Sequence, residues 1–397
     1  MMALTVAVVG GGIGGFAAAA FLRRAGLHVA LFEQAARLTE VGAGLVVAPN
    51  AARLLRRLGL GQRLEEAGVR LEVGWEFRRW QDGRVLFAQP LGEECERLYG
   101  EATWVLHRAD LLGMLCSAVP EYAIHLGKRC VDLRMEDDRA TLVFADGSTT
   151  DAEVVVAADG VHSILRGRVT APRAPTATGL CAWRALVPAE AVPGFARRPV
   201  QTLWLGHGRH LVHYPVSGGR QVNVVAFTPA GSQDVESWSS QGRPQDLAAE
   251  FADWDPRLRE LLTAVTSVGR WAVLERDPLD VWTAGRLALL GDAAHPMLPF
   301  FAQGAGQAIE DAAVLAACLA RDPGHVHAAL EQYQQARVPR ARRVQIMSRA
   351  RLAHHHLPDG PEQQSRDAAF AAEDPLGHNG WLYSYDAEHA FAERNAT

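Results

Sequence analysis

The chain has 397 residues, 48% of them hydrophobic and 21% charged, which suggests about two to three domains with ordinary globular cores. Its net charge of −5 provides no basic footprint, so nucleic acid is not an expected partner. Cys95, Cys116, Cys130, Cys181 and Cys318 are scattered without a C-x-x-C pair, which argues against a disulfide framework or a metal site and favours the cytoplasm. Residues 3–22 are nearly uncharged, but no basic segment precedes them and glycines crowd their middle. They read as buried strand and helix, not as a signal peptide or membrane span, and no membrane partner is expected.

The run from Thr5 to Glu33 organises the rest. An apolar strand-type stretch enters Gly10, Gly12 and Gly15 at G-x-G-x-x-G spacing, with Ile13 and Gly14 between them. An Ala-rich helix follows, then a second apolar run that ends at Glu33. This order is the dinucleotide-binding fingerprint. Gly10 permits a tight turn, Gly12 lets backbone approach a pyrophosphate, and Gly15 lets helix and strand pack closely. The helix N-terminus presents unpaired N–H groups to the phosphates. Glu33 is placed to accept from ribose hydroxyls.

Next, Gly42 and Gly44 bracket Ala43, so backbone there can lie close to something planar or bulky. A helix opens at Pro49 and Asn50. Residues 71–87 change period and read as a hairpin about Asp82-Gly83, an excursion into a second sheet. Val105 to Val119 reads as helix. Arg108 near its start is unfavourable for the dipole and hints at an anion partner. An apolar strand then ends at Asp159-Gly160, where ligands of doubly wound sheets bind; a turn or capping aspartate is the plainer reading.

Residues 178–274 contain strand-like runs, a helical stretch from Gln245 to Val265, and a final strand-like run. They predict a mainly antiparallel sheet with helix, and their tryptophans suit an aromatic-lined pocket. The strand Arg286 to Leu290 leads into Gly291-Asp292, which repeats the strand-end acid. Pro296 and Pro299 stiffen the loop beyond it. Gly304, Ala305 and Gly306 precede a long helix whose N-terminus is a second anion site. His325 to His356 is helical, and the tail after Pro358 is expected to be partly ordered at best.

Three motifs now stand in order: G-G-G-I-G-G with Glu33, A-D-G-V-H-S at 158–163, and G-D-A-A-H-P at 291–296 with A-Q-G-A-G-Q-A-I-E-D-A at 302–312. Together they resemble the single-component FAD-dependent aromatic hydroxylases. Arg79 to Gly92, H-R-A-D-L and A-Q-G-A are most similar to salicylate hydroxylases and 6-hydroxynicotinate 3-monooxygenases. The resemblance implies an α/β fold: a Rossmann-like FAD-binding domain (1–74, 104–177 and 278–320), a mixed or antiparallel substrate domain (75–103 and 178–277), and a C-terminal helical segment and tail (321–397). It implies tightly bound FAD, transient NADH or NADPH, and O2. Glu33 and Arg108 would serve the ribose and pyrophosphate side, Asp159 the FAD and the passing nicotinamide, and Asp292 the ribityl chain. Gly304 to Gly306 would face the flavin N1–C2=O edge, and Pro296 would line the isoalloxazine ring. The implied chemistry is flavin reduction, oxygen addition at C4a to give a hydroperoxide, and electrophilic hydroxylation of a small aromatic substrate.

Such a substrate needs a base or relay. His210, His213 and Tyr214 lie on one strand-like run, where alternation puts His210 and Tyr214 on one face and His213 on the other. Some relatives carry polar residues near Val46 and Val47 and a histidine near Phe300, whereas this chain has Val46, Val47, Phe300 and Phe301. A more apolar or differently placed substrate than hydroxynicotinate is therefore expected. The competing readings are a natural-product tailoring monooxygenase or epoxidase on the same scaffold and a flavin-free escort protein. A homodimer is left open.

Overall fold

The structure, a computed structural model, describes residues 4–38, 42–231 and 241–389. Its first sheet has the strand Thr5–Val9 near its centre. His28–Phe32 and Val154–Ala157 flank it in parallel, and Leu287–Leu289 pairs parallel with the latter. Ile124–His125 forms one edge and Thr283–Ala284, antiparallel, the other. Near-continuous Val and Ala runs suit strands covered on both faces. The helix Ile13–Arg24 follows the fingerprint, and its run from Phe16 to Leu22 is buried throughout.

The second sheet has eight strands. Four successive members are Thr176–Pro188, Gln221–Pro229, Arg209–Val216 and Val200–Gly206, all antiparallel. Val73–Arg79 continues it in parallel, and Val85–Pro90 closes the expected hairpin. Alternation splits its residues cleanly. Trp183, Trp204, Leu211 and Val224 pack with Phe251 and Leu258 under two short helices. Their neighbours Ala182, Arg184, His210, Val212 and Val225 face a cavity between the sheets.

Three sequence expectations need correction. Val105 to His107 is strand, because Trp104–His107 pairs with Gly44–Val47, and the helix begins at Arg108. The stretch from Gln245 to Val265 is two helices, Pro244–Glu250 and Pro256–Thr263; the second starts where the Asp255 side chain accepts from the Arg257 N–H. The described part of the tail after Pro358, residues 359–389, is folded against the body of the protein. It forms the helices Pro361–Ala372 and Gly380–Tyr383, and Leu382 and Tyr383 are buried. Its polar composition hid a set of arginine partners. Arg343 lies 3.8 Å from the Trp381 ring centroid and Arg340 3.6 Å from that of Tyr385, while Arg53 donates to the Tyr385 carbonyl at 2.6 Å. Among the described residues no helix is long and apolar enough to cross a membrane.

Candidate active site

The three motif corners meet along one cavity. Gly12, Ile13 and Gly14 line it from the first, Gly160 from the second, and Gly291 and Asp292 from the third. The corners are held by protein packing. A Cβ on Gly10, whose φ is +107°, would come within 2.3 Å of the Ala158 carbonyl oxygen, and one on Gly15 within 1.8 Å of the Gly10 oxygen. A Cβ on Gly12 would meet nothing within 4 Å, so this glycine alone of the triplet faces open groove.

Two helix N-termini point at that groove. In the first helix the Phe16 N–H bonds to the Gly12 carbonyl, which leaves the N–H groups of Ile13, Gly14 and Gly15 without helical partners. In the helix Gly304–Arg321 the Gln307 N–H bonds to the Gln303 carbonyl, leaving those of Gly304, Ala305 and Gly306. Neither end has a side-chain cap. Open space at Gly12 and two uncapped donor clusters suit the pyrophosphate and flavin edge of FAD.

The other candidates fall as follows. Glu33 accepts from the Gly11 and Ala35 N–H groups at 2.6 and 2.7 Å, and its remaining lone pairs could take ribose hydroxyls. Arg108, Pro296 and Pro299 line the cavity. Ala43 and Gly44 line the cavity as well, while the close approaches at Gly42 and Gly44 are to side chains of the protein itself. A Cβ at Gly42 would lie 1.7 Å from His107 Nε2, and one at Gly44 2.6 Å from the Tyr214 ring. Gly306 packs toward Gln303 and Asn50, and only Gly304 and Ala305 of that turn reach the cavity wall. Asp159 turns its carboxylate into its own loop, where Oδ2 accepts from the Ile164 N–H at 3.1 Å. Burial raises its pKa against these bonds. Oδ2 thus plays the capping part, while Oδ1 is buried without a hydrogen-bond partner among the described residues.

On the second sheet His210 and Tyr214 both face the cavity and His213 does not. His213 packs against Phe195 on the far side, where burial, then Arg78 and Arg198, push its pKa down to about 3. The structure thereby separates it from any substrate position. Burial raises the Tyr214 phenol, against the pull of Arg184, so it stays protonated at neutral pH. Val46 and Phe300 line the cavity, but Val47 and Phe301 belong to packed cores. Phe300 is moreover flanked by His210 and His355, at 5.3 and 6.2 Å between centroids. This end of the cavity is more polar than its loop sequence implied.

Sequence reasoning missed several residues. Arg184 lines the cavity with its guanidinium 4.7 Å from the Trp271 ring centroid; burial lowers its pKa to about 10, so it remains charged at neutral pH. Alternation from Ala182 could have flagged it. Trp75 and Ala302 line the cavity with φ of +47° and +51°, strained for side chains. Arg351 lies 3.7 Å from the Trp75 ring centroid. Beneath the third corner, His295 and Arg337 both bond to Asp311, at 2.5 and 2.7 Å, and all three are fully buried. Their network spans two helices, which no local pattern reveals.

This arrangement defines an FAD-dependent aromatic monooxygenase. A family model described as FAD binding domain matches residues 3–348, and the chain belongs to that family. It is 43% identical to a 3-amino-4-hydroxybenzoate 2-monooxygenase of Streptomyces cremeus over 384 residues, covering 97% of this chain and 96% of the relative. It is 38% identical to a 6-hydroxynicotinate 3-monooxygenase of Bordetella bronchiseptica over 346 residues, 86% and 90% of the two chains. A salicylate hydroxylase substrate complex superposes with a TM-score of 0.81 at 30% identity, over 98% of this chain and 97% of the other. FAD is the cofactor, with NAD(P)H and O2 the co-substrates of this class.

Proposed function

We propose that the substrate is a one-ring hydroxylated aromatic carboxylic acid. The observation that carries this is the cavity wall itself. It places the charged Arg184 among Trp271, Tyr214 and Val225, on the second-sheet side of the same cavity that the three motif corners line, a setting that suits a small molecule. A carboxylate matches the guanidinium, and the aromatic and aliphatic walls match a ring. FAD, when bound at the motif corners, supplies electron transfer from NAD(P)H and oxygen activation.

The chain's own residues then bind and prepare the ring. Arg184 orients the carboxylate. Tyr214, kept protonated, donates to an anionic oxygen on the ring. His210, neutral because burial, then His356 and His355, lower its pKa well below the usual range, accepts the ring hydroxyl proton. Deprotonation makes the ring a better nucleophile. Gly12, Gly304 and Ala305 would hold the cofactor, with Pro296 and Pro299 stiffening its border.

Sheet membership supports an FAD-holding unit (1–74, 104–177 and 278–320), a substrate unit (75–103 and 178–277) and a C-terminal segment (321–397), except that the strands Val73–Arg79 and Thr176–Pro188 of the second sheet shift two of the seams to residues 73 and 176. The five cysteines are free thiols, which supports a cytoplasmic setting.

The experiment is NADH and NADPH oxidation with 3-amino-4-hydroxybenzoate, 6-hydroxynicotinate and salicylate, scoring product and peroxide. At least one carboxylated ring should be hydroxylated. Turnover restricted to uncharged rings would overturn the reading.

A further inference from the structure

His210 is 1% exposed and lines the cavity. Its Nδ1 lies 2.6 Å from Nε2 of His356, which is 146 residues away in sequence. Phe227 stacks on the His210 ring at 4.6 Å between centroids and Phe300 meets it edge-on, so the imidazole is fixed. His356 caps the C-terminal end of the helix Val326–His355 and is only partly buried. Its carbonyl accepts from the Gly208 N–H at 3.1 Å. That bond pins the helix end to the turn just before His210. One member of the imidazole pair therefore faces the cavity and the other reaches the surface.

A hydrogen bond between imidazoles needs one N–H and one lone pair. With His210 Nδ1 donating, its Nε2 carries the lone pair and is the nitrogen left for a ligand. We propose that His210 and His356 form a relay that carries the hydroxyl proton of the aromatic substrate from the cavity to solvent. The substrate O–H bond breaks and its proton goes to His210 Nε2, while the electron pair stays on the oxygen. The His210 Nδ1 proton passes to His356 Nε2, and the His356 Nδ1 proton passes to water. No electrons are exchanged; when the product oxyanion takes a proton from His210 Nε2, the same transfers run in reverse from water and restore both starting tautomers.

The proposal rests on the hydroxylated-ring reading above. His356 acts through His210, as a relay and positioning residue. The titratable group facing the pair is His355 on the cavity wall, which in turn feels Arg351 one helical turn back, His354, and Arg366, whose Nη1 donates to the His354 carbonyl at 2.7 Å. Burial disfavours a charge resting on either imidazole, and His356 and His355 add to that at His210. The proton therefore passes through instead of lodging there.

The test is stopped-flow mixing of oxidised, FAD-loaded protein with 3-amino-4-hydroxybenzoate, 6-hydroxynicotinate or salicylate in weakly buffered pH indicator, alongside His356→Phe and His356→Gln. Binding is followed separately by the flavin absorbance change. The wild type should release a proton as substrate binds. Both variants should release it at least about tenfold more slowly with unchanged affinity, and added imidazole should restore the rate. The variants' hydroxylation should also gain a steeper dependence on pH. Release at the wild-type rate in both variants, or slow release that imidazole does not rescue, would overturn the relay while leaving the substrate reading intact. Absence of wild-type binding to all three acids would overturn that reading, and the relay with it.

Discussion

The guanidinium of Arg166 donates to the backbone carbonyl of Asp292 at 2.8 Å, across 126 residues of sequence. The same side chain donates to the carbonyls of Ala293, Val161 and Gly160. One arginine thus ties the second strand-end corner to the third. Removing it strands several carbonyls beside the cofactor groove, and losing such charge-assisted bonds costs about 1–3 kcal/mol. Arg166→Met should therefore retain FAD about 5- to 100-fold less well. The check is the flavin-to-protein ratio after dialysis, with far-UV circular dichroism unchanged. A wild-type ratio would show that the corners hold without it.

The fingerprint glycines should separate by what each one faces. A Cβ at Gly15 would sit 1.8 Å from the Gly10 carbonyl oxygen, whereas one at Gly12 would meet no protein atom within 4 Å. Gly15→Ala should fail to fold or lose several degrees in thermal midpoint. Gly12→Ala should fold with a near-wild-type melt in the absence of FAD, yet take up little flavin. Normal FAD uptake by Gly12→Ala would mean that the pyrophosphate lies elsewhere.

These two glycines also mark what could be read from the chain alone. Gly10, Gly12 and Gly15 belong to one local strand-turn-helix unit, so spacing alone identified the nucleotide corner. Alternation within one strand likewise separated His210 and Tyr214 from His213. Gly42 and Gly44 were legible as close approaches, but not the side chains approached, because His107 and Tyr214 come from other strands. His356 and Arg337 were illegible for the same reason. Each acquires its partner only when the C-terminal helices fold back, and helical periodicity says nothing about which side chain waits there. The tail shows the converse, since its Trp381 and Tyr385 find arginine faces on one earlier helix, Val326–His355.

Tyr214 faces the cavity with its phenol held protonated by burial. A fixed donor to a substrate oxyanion is worth about 1.5–3 kcal/mol, or some 10- to 100-fold in rate. Tyr214→Phe should slow hydroxylation by about that much or divert reducing equivalents to peroxide, with FAD content unchanged. Wild-type coupling of NAD(P)H oxidation to product would remove Tyr214 from the reaction.

Arg184 makes the substrate reading testable without turnover. Its buried guanidinium beside Trp271 should discriminate a ring carboxylate from the matching carboxamide. Truncating one member of a buried charge pair costs about 2–5 kcal/mol. Arg184→Met should therefore weaken binding of 3-amino-4-hydroxybenzoate at least about 30-fold and that of its carboxamide far less, read from flavin absorbance titrations. Equal losses for acid and amide would point to a packing role.

Asp311 gives the pH dependence of the fold. Burial pushes its carboxyl pKa up, but His295 and Arg337 outweigh that and the net shift is downward. A carboxyl depressed in the folded state binds fewer protons there than in the unfolded chain. Its stabilising contribution is therefore full above the unfolded value, about 3.9, and is lost as pH falls through the lower folded value. Asp311→Asn leaves the buried Arg337 with Glu310 as its remaining carboxylate and should cost about 3–5 kcal/mol at neutral pH. In urea denaturation series between neutral and strongly acid pH, the wild type should lose stability more steeply in the acid range than the variant does. Parallel acid limbs would show that Asp311 does not carry the linkage.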